Sequence, residues 1–499
     1  MDLVGIDWQC DYFYCRISCI MVRAKPAREN RKLMKASSER NQPTTPAIEL
    51  KRDLGLWSAA AIVVGTVIGS GIFIVPQTMV KLVGSPRMVF VVWVVGGLLS
   101  LAGALSYSEL AAAMPEAGGE YVYLSEGYGP LWGFIYGWTQ MWVAKSGSVA
   151  ILATGFFYYL ANFVPELERI FFTVPLPLGA HGAPLDIRYG QLLAMVLIFS
   201  LAVLNYFGVK VGGDVQVAVT ILKVALILLI VIVGLGWGHH ATAAHATVLT
   251  QVTVLGFFAA LVKSLWAYDG WNNVSMVASE IRNPQRNLPL ALIWGTAAVI
   301  VIYLLANAAY FYVLSPEQVA GSNRVAATMM RQVLGDGGAS LVSIAAMISM
   351  FAALNGSILS GARVPYALAR DGYFFAPMAR VNAKYHTPGV SIMGLSAWGM
   401  IVVLSGTYDQ LLDYVIFASW LLYGMTTATV LVLRRKRPDL VRPYRTLGYP
   451  VVPVLFVIMS IAIVISALYN SPRESLLGLA MILAGLPFYF HWRKKRSRA

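Results

Sequence analysis

Residues 54–80 run for the width of a bilayer without one charged side chain. Comparable apolar stretches recur at 88–113, 130–164, 190–207, 214–237, 253–278, 288–314, 339–364, 389–405, 411–433, 450–469 and 475–492, and the first extends to 83. Only 12% of the chain is charged, against about 25% in soluble domains. A β-barrel would show short alternating segments, so the pattern predicts an all-α polytopic membrane protein with 12 transmembrane helices. The net charge of +14 would suggest nucleic acid in a soluble chain, but its placement gives a better account. With the N-terminus in the cytoplasm, lysines and arginines outside the spans fall about four to one on that side, which puts both ends there. The run 434–437 and the basic tail 493–499 read as anchors near anionic lipid.

The first span is also flawed as a helix. Within it lies Gly65-Thr66-Val67-Ile68-Gly69-Ser70-Gly71-Ile72-Phe73, whose three glycines in seven residues forfeit roughly 3 kcal/mol of helix propensity. Two readings stand: a small-residue packing face, or a break whose freed amides at Gly69, Ser70 and Gly71 attract an anion such as a carboxylate. Span 6 carries a second candidate break, Trp266-Ala267-Tyr268-Asp269-Gly270-Trp271-Asn272-Asn273. Aspartate, asparagine and glycine all work against the helix there, and freed carbonyls from Leu265 to Asp269 would accept an ammonium group. The other reading is a polar patch packed in the bundle. Spans 1–5 and 6–10 form two halves of five helices, so their first helices enter from opposite sides. Interrupted helices at matching positions are the mark of an inverted repeat with its substrate site at midplane.

Lys145, Lys223, Lys263 and Asp269 lie inside spans, where each ionisable group costs at least about 2.5 kcal/mol if central. Lys223 stands about ten residues into its span, with no interface in reach. Lys145 and Lys263 are left between salt bridge, vestibule and site. The loop Glu116-Ala117-Gly118-Gly119-Glu120-Tyr121-Val122-Tyr123-Leu124 has acids and aromatics but no Lys or Arg. It breaks the charge rule locally and is expected to fold against the bundle, as a gate element or an interfacial helix.

The chain divides into a disordered basic leader at 1–50, a first repeat at 51–237, a second at 253–433, two further helices at 450–492 and the tail. Residues 1–20 differ in character from the rest of the chain, and Met21 or Met34 is an alternative start. Cys10, Cys15 and Cys19 precede the first span without metal-ligand spacing. His239, His240 and His245 share one external loop, which reads as solvated. No His-Glu-x-x-His, Gly-x-Ser-x-Gly or P-loop pattern is present, so no catalytic residue, metal or cofactor is assigned.

Five pieces in order carry a family likeness: Gly65–Phe73, Glu109–Tyr123, Trp266–Asn273 with Glu280–Pro289, Arg363–Pro388, and Arg437-Pro438-Asp439-Leu440-Val441-Arg442-Pro443-Tyr444. Over about residues 50–492 the chain resembles the amino acid–polyamine–organocation superfamily, and within it the L-type amino acid transporters and the prokaryotic serine/threonine exchangers. The resemblance implies a LeuT-like fold of 5+5 inverted repeats with discontinuous helices 1 and 6, plus two helices. It implies a secondary carrier of L-amino acids in the cell membrane, by exchange or proton coupling, with the lipid bilayer as its setting and no nucleic-acid partner. The substrate carboxylate would fall on Ile68, Gly69, Ser70 and Gly71. The ammonium would fall near Val67 and around Trp266, Ala267 and Tyr268, with Trp266 as an aromatic gate. Lys223 matches a helix 5 lysine that stands where sodium-coupled cousins bind a cation, which implies sodium independence.

Two departures matter. Asp269 replaces a glycine of the L-type relatives, which leaves open a cationic amino acid or polyamine antiporter, or a pairing of Asp269 with Lys223 or Lys145. The loop 165–189 lacks the cysteine through which eukaryotic relatives join a heavy chain, so no disulfide-linked heavy chain is expected.

Overall fold

The computed structural model describes residues 50–175, 185–239, 251–404, 408–470 and 472–496. The leader with its three cysteines, Met21 and Met34, the loop histidines His240 and His245, and the last residues of the tail lie outside the described residues. The chain is a bundle of helices. Among the described residues, ten helical stretches are long and apolar enough to cross a membrane, and Val254–Ala267 and Gly389–Val403 are shorter apolar helices. These two coincide with the predicted spans 253–278 and 389–405. The first is short because the chain unwinds after Ala267.

The first span is two helices, α1 (Leu56–Val67) and α2 (Gly71–Val83), separated by Ile68–Ser70. Next comes α3 (Pro86–Ala113), started by Pro86 behind the Ser85 side chain, which accepts from the Met88 amide. The acidic loop forms a helix, α4 (Glu120–Tyr128), that packs inward: Glu120, Tyr121, Tyr123 and Leu124 are buried. The third span is α5 (Pro130–Thr139) and α6 (Lys145–Leu160), joined by a π-helical turn at Gln140–Ala144. Such turns are frequent at functional sites, and this one delivers Lys145 to the interior.

The external loop holds an antiparallel pair, β1 (Ile170–Val174) and β2 (Leu185–Arg188), with Val174 opposite Leu185. Then follow α7 (Tyr189–Tyr206), α8 (Val209–Trp237), α9 (Val254–Ala267), α10 (Asn273–Met276), α11 (Pro284–Val313) and α12 (Pro316–Gly321). Helix α13 (Val325–Gly361) is parted into two helices by a kink at the non-helical Gly335 (φ 68°, ψ −158°), and the second part starts close to the predicted 339. The part before the kink carries Arg331 and Gln332, which mask it in a hydropathy reading. The chain closes with α14 (Arg363–Arg370), α15 (Gly389–Val403), α16 (Tyr408–Lys436), α17 (Val451–Asn470), α18 (Pro472–Leu483) and α19 (Gly485–Arg496).

Helices α1, α2, α9 and α10 occupy the interior, enclosed by α3, α8, α11 and α13. Two buried acid–arginine clusters fasten the end of the bundle where α3 stops and α11 starts. Glu280 receives two bonds from Arg363, at 2.7 and 2.9 Å, with both side chains wholly buried. Glu109 receives Arg434 at 2.9 and 2.6 Å and the Thr446 amide at 2.7 Å, with Arg442 3.3 Å away. Paired and fully hydrogen-bonded charges are the form in which burial is tolerated.

Candidate functional site

Both predicted breaks are present, and they face each other. At the first, Ile68 adopts an extended conformation (φ −73°, ψ 90°), which ends α1. The carbonyls released there turn to side chains of other helices. The Lys223 side-chain nitrogen on α8 donates to the Gly65 and Ile68 carbonyls, both at 2.6 Å. The Ser349 hydroxyl on α13 reaches the Ile68 carbonyl at 2.8 Å. On the other flank α2 restarts at Gly71, so its first amides precede the helical ladder, which the Phe73 amide joins through the Ser70 carbonyl at 3.1 Å.

At the second break Gly270 has φ 108°, a conformation open to glycine and strained for other residues. The chain unwinds over Tyr268–Asn272 and re-forms as α10. Here side chains carry the junction. Asp269 accepts from the Tyr423 hydroxyl of α16 at 2.8 Å. Asn273 accepts from Lys145, and Asn272 donates to Glu120. Not all the carbonyls expected to be open are open: that of Trp266 accepts the Asp269 amide at 3.0 Å.

Two hydroxyls join the breaks. Tyr303 of α11 sets one proton between the carbonyls of Val67 and Ala267, at 3.0 and 2.8 Å. The Thr66 hydroxyl lies 2.8 Å from the Gly270 carbonyl. Contact is close at Gly71 as well, where a Cβ would stand 2.5 Å from that of Ala267. No larger residue fits without moving one of the two helices.

Between the breaks lies a cleft of about 360 Å³, counting its open mouth. Its walls are Thr66, Val67, Gly69, Ser70 and Gly71 from the first break, and Trp266, Asp269, Gly270 and Asn273 from the second. Lys145, Ser148 and Leu152 of α6 and Ser357 of α13 complete it.

Six of the ten site residues expected from the sequence therefore line one cavity: Val67, Gly69, Ser70, Gly71, Trp266 and Asp269. Four do not. The Ile68 carbonyl faces Lys223 and Ser349, and Lys223 is buried behind the break. Ala267 packs on Gly71, and Tyr268 turns away to donate to the Trp93 carbonyl at 3.2 Å. Asp269 takes its hydrogen bond from Tyr423, and neither Lys223 nor Lys145 is within salt-bridge distance of it. Lys263 is half-buried and outside the cleft lining. Tyr303, Ser349 and Tyr423 escape a reading of the sequence, since a hydroxyl in an apolar helix gives no signal of its own. Among the described residues no group of three His, Cys, Asp or Glu is placed to hold a metal ion.

A family model described as amino acid permease matches residues 54–487. The chain is 32% identical to the b(0,+)-type amino acid transporter 1 of Mus musculus, covering 88% of each chain. It is 32% identical to the serine/threonine exchanger SteT of Bacillus subtilis (strain 168), over 90% of this chain and 98% of that one. With the cystine/glutamate transporter of Homo sapiens it shares 31% identity, over 91% of this chain and 88% of the other. An extended match of this kind, over a bundle whose two broken helices share one cleft, places the chain in the amino acid permease family of the amino acid–polyamine–organocation superfamily.

Proposed function

We propose that the cleft binds the zwitterionic head of an L-amino acid and that the chain carries it across the cell membrane by alternating access. Coupling is sodium-independent, by exchange or by protons. The observation that carries this reading is the placement of both breaks on one cavity. The first-turn amides of α2 suit a carboxylate. The opposite wall, with Asp269 and the backbone of the second break, suits an ammonium group. Trp266, on the same wall, closes over the solute. Lys223 supports sodium independence, because its nitrogen already holds the two carbonyls a cation would need.

The relatives named above transport amino acids, and two are named for specific substrates: serine and threonine in one, cystine and glutamate in the other. In this reading the two shorter apolar helices complete twelve crossings, residues 51–237 and 253–433 form the 5+5 inverted repeat, and both termini are cytoplasmic. The carrier works without a disulfide-linked heavy chain.

A cationic amino acid or polyamine antiporter is the second reading, and Asp269 in the cleft favours it. Lys145 lines the same cleft and offsets that charge, which favours substrates without net charge. Uptake of labelled leucine into proteoliposomes, with sodium replaced by choline and with serine, arginine or putrescine as competitors, tests both. Sodium-independent uptake blocked by serine supports the first reading. A strict sodium requirement, or uptake displaced only by arginine and putrescine, overturns it.

A further inference from the structure

Glu120 has no place in the substrate chemistry above, yet it is wholly buried at the first turn of α4. One carboxyl oxygen accepts from the Asn272 side-chain amide, and the other from the Tyr136 hydroxyl of α5 at 2.8 Å. Ser275 of α10 stands 3.4 Å away and gives its proton to the Asn272 backbone carbonyl at 2.7 Å. Just before Glu120, the Gly118 amide donates to the Met276 carbonyl at 2.9 Å. The start of α4 is thus keyed to the inner half of the second broken helix by side chain and backbone together. Asn273, next to Asn272, is the residue that holds Lys145 at the cleft.

We propose that Glu120 is a positioning residue that latches α4 to the second break, and that its protonation releases the latch and speeds the carrier's opening. The inference rests on the transport reading. Asn272 and Tyr136 present donors to both oxygens, a match for a carboxylate. A proton turns both charge-assisted bonds into neutral ones and loosens the junction.

The surroundings carry little opposing charge. Tyr107 on α3, Tyr123 on α4, Glu116 before it, Asp269 and Tyr423 all face the same region, and Lys145 is the cation that acts on it. On α14, Arg363 is held by Glu280, and Arg370 by Asp371 and Glu116. Burial raises the Glu120 pKa, and the bonds from Asn272 and Tyr136 with the charge of Lys145 only partly reverse this. The latch therefore titrates above the ordinary glutamate value of about 4.3.

The test compares wild type, Glu120→Gln and Tyr136→Phe in proteoliposomes and in detergent. Wild-type exchange should rise about three- to tenfold as pH falls from about 8 to 5. Glu120→Gln should hold the fast rate at every pH. Tyr136→Phe removes a donor to the carboxylate and should start the rise at higher pH. In detergent, the folded state binds this proton more tightly than the unfolded chain. Wild-type melting temperature should therefore gain on acidification, and Glu120→Gln should lack that gain. A Glu120→Gln rate profile that keeps the wild-type pH dependence overturns the proposal, as does a flat wild-type profile. If no variant transports, the transport reading fails, while the melting difference still reports on the latch: its absence overturns that too.

Discussion

The two breaks face one cleft but are held open in different ways. At the first, the exposed groups are peptide groups, and the residues that supply them are small or aliphatic. The carbonyls of Gly65, Val67 and Ile68 are taken by Lys223, Tyr303 and Ser349 from three other helices. At the second, the polar side chains Asp269, Asn272 and Asn273 do the fastening, to Tyr423, Glu120 and Lys145. A backbone site cannot be altered by substitution without altering its geometry, so it suits the part that every amino acid shares. A side-chain site is altered by one codon, so beside the second break's backbone, which suits the shared ammonium, its side chains suit the part that differs between substrates. On this division, damage to the first break lowers transport of all substrates alike, whereas damage to the second changes which substrates compete.

The sharpest way to break the division is Lys223→Met. It leaves the Gly65 carbonyl buried without its donor and weakens the tie to Ile68. Unpaired buried acceptors cost about 1–3 kcal/mol each, so uptake should fall by more than about tenfold for every substrate that wild type carries. A Lys223→Met carrier with wild-type uptake in proteoliposomes would remove the first half of the comparison.

Tyr303→Phe comes next, because one hydroxyl serves both breaks. Loss of about 1–2 kcal/mol of hydrogen bonding predicts a five- to thirtyfold drop in kcat/KM. The drop should be similar across substrates, since no substrate side chain is involved. Unequal losses would mean that Tyr303 belongs functionally to the second break.

Asp269→Asn should act differently. Tyr423 can still donate to an asparagine oxygen, so the fold holds while the charge is gone. Leucine uptake should stay within about threefold of wild type, while inhibition by arginine weakens by about five- to tenfold. Equal losses for leucine and arginine would erase the distinction between the breaks.

The same division decides how much of the molecule is legible in the sequence. Glycines at 65, 69 and 71 and the Asp-Gly-x-Asn-Asn stretch stand out in apolar runs because they oppose helix, and both sites of unwinding can be read from them. Lys223 is legible because a lysine in the middle of a span has no interface to reach. Inward folding of α4 is legible from missing Lys and Arg. The partners are not. Tyr303 lies 236 residues from Val67 and Ser349 lies 281 from Ile68, and neither residue type is unusual in a packed helix. The chain names the positions that cannot be ordinary helix but not the helices that satisfy them. The short helix before the Gly335 kink and the β1–β2 pair escape because polar or short segments do not register in a hydropathy reading.

Ser349→Ala should give the smallest effect, and its size tests how the first break is shared. The Ile68 carbonyl accepts from both Ser349, at 2.8 Å, and Lys223, at 2.6 Å. Removing one of two donors leaves the oxygen satisfied, so the cost is that of a redundant bond, about 0.5–1 kcal/mol. Uptake should fall by about two- to fivefold, equally for leucine and serine, with a small drop in melting temperature. The double variant with Lys223→Met is the informative one. With both donors gone the carbonyl is bare, and the loss should exceed the two single losses combined. Strict additivity would mean that the two donors act on separate features of the break, and that the carbonyl they share is not what Lys223 controls.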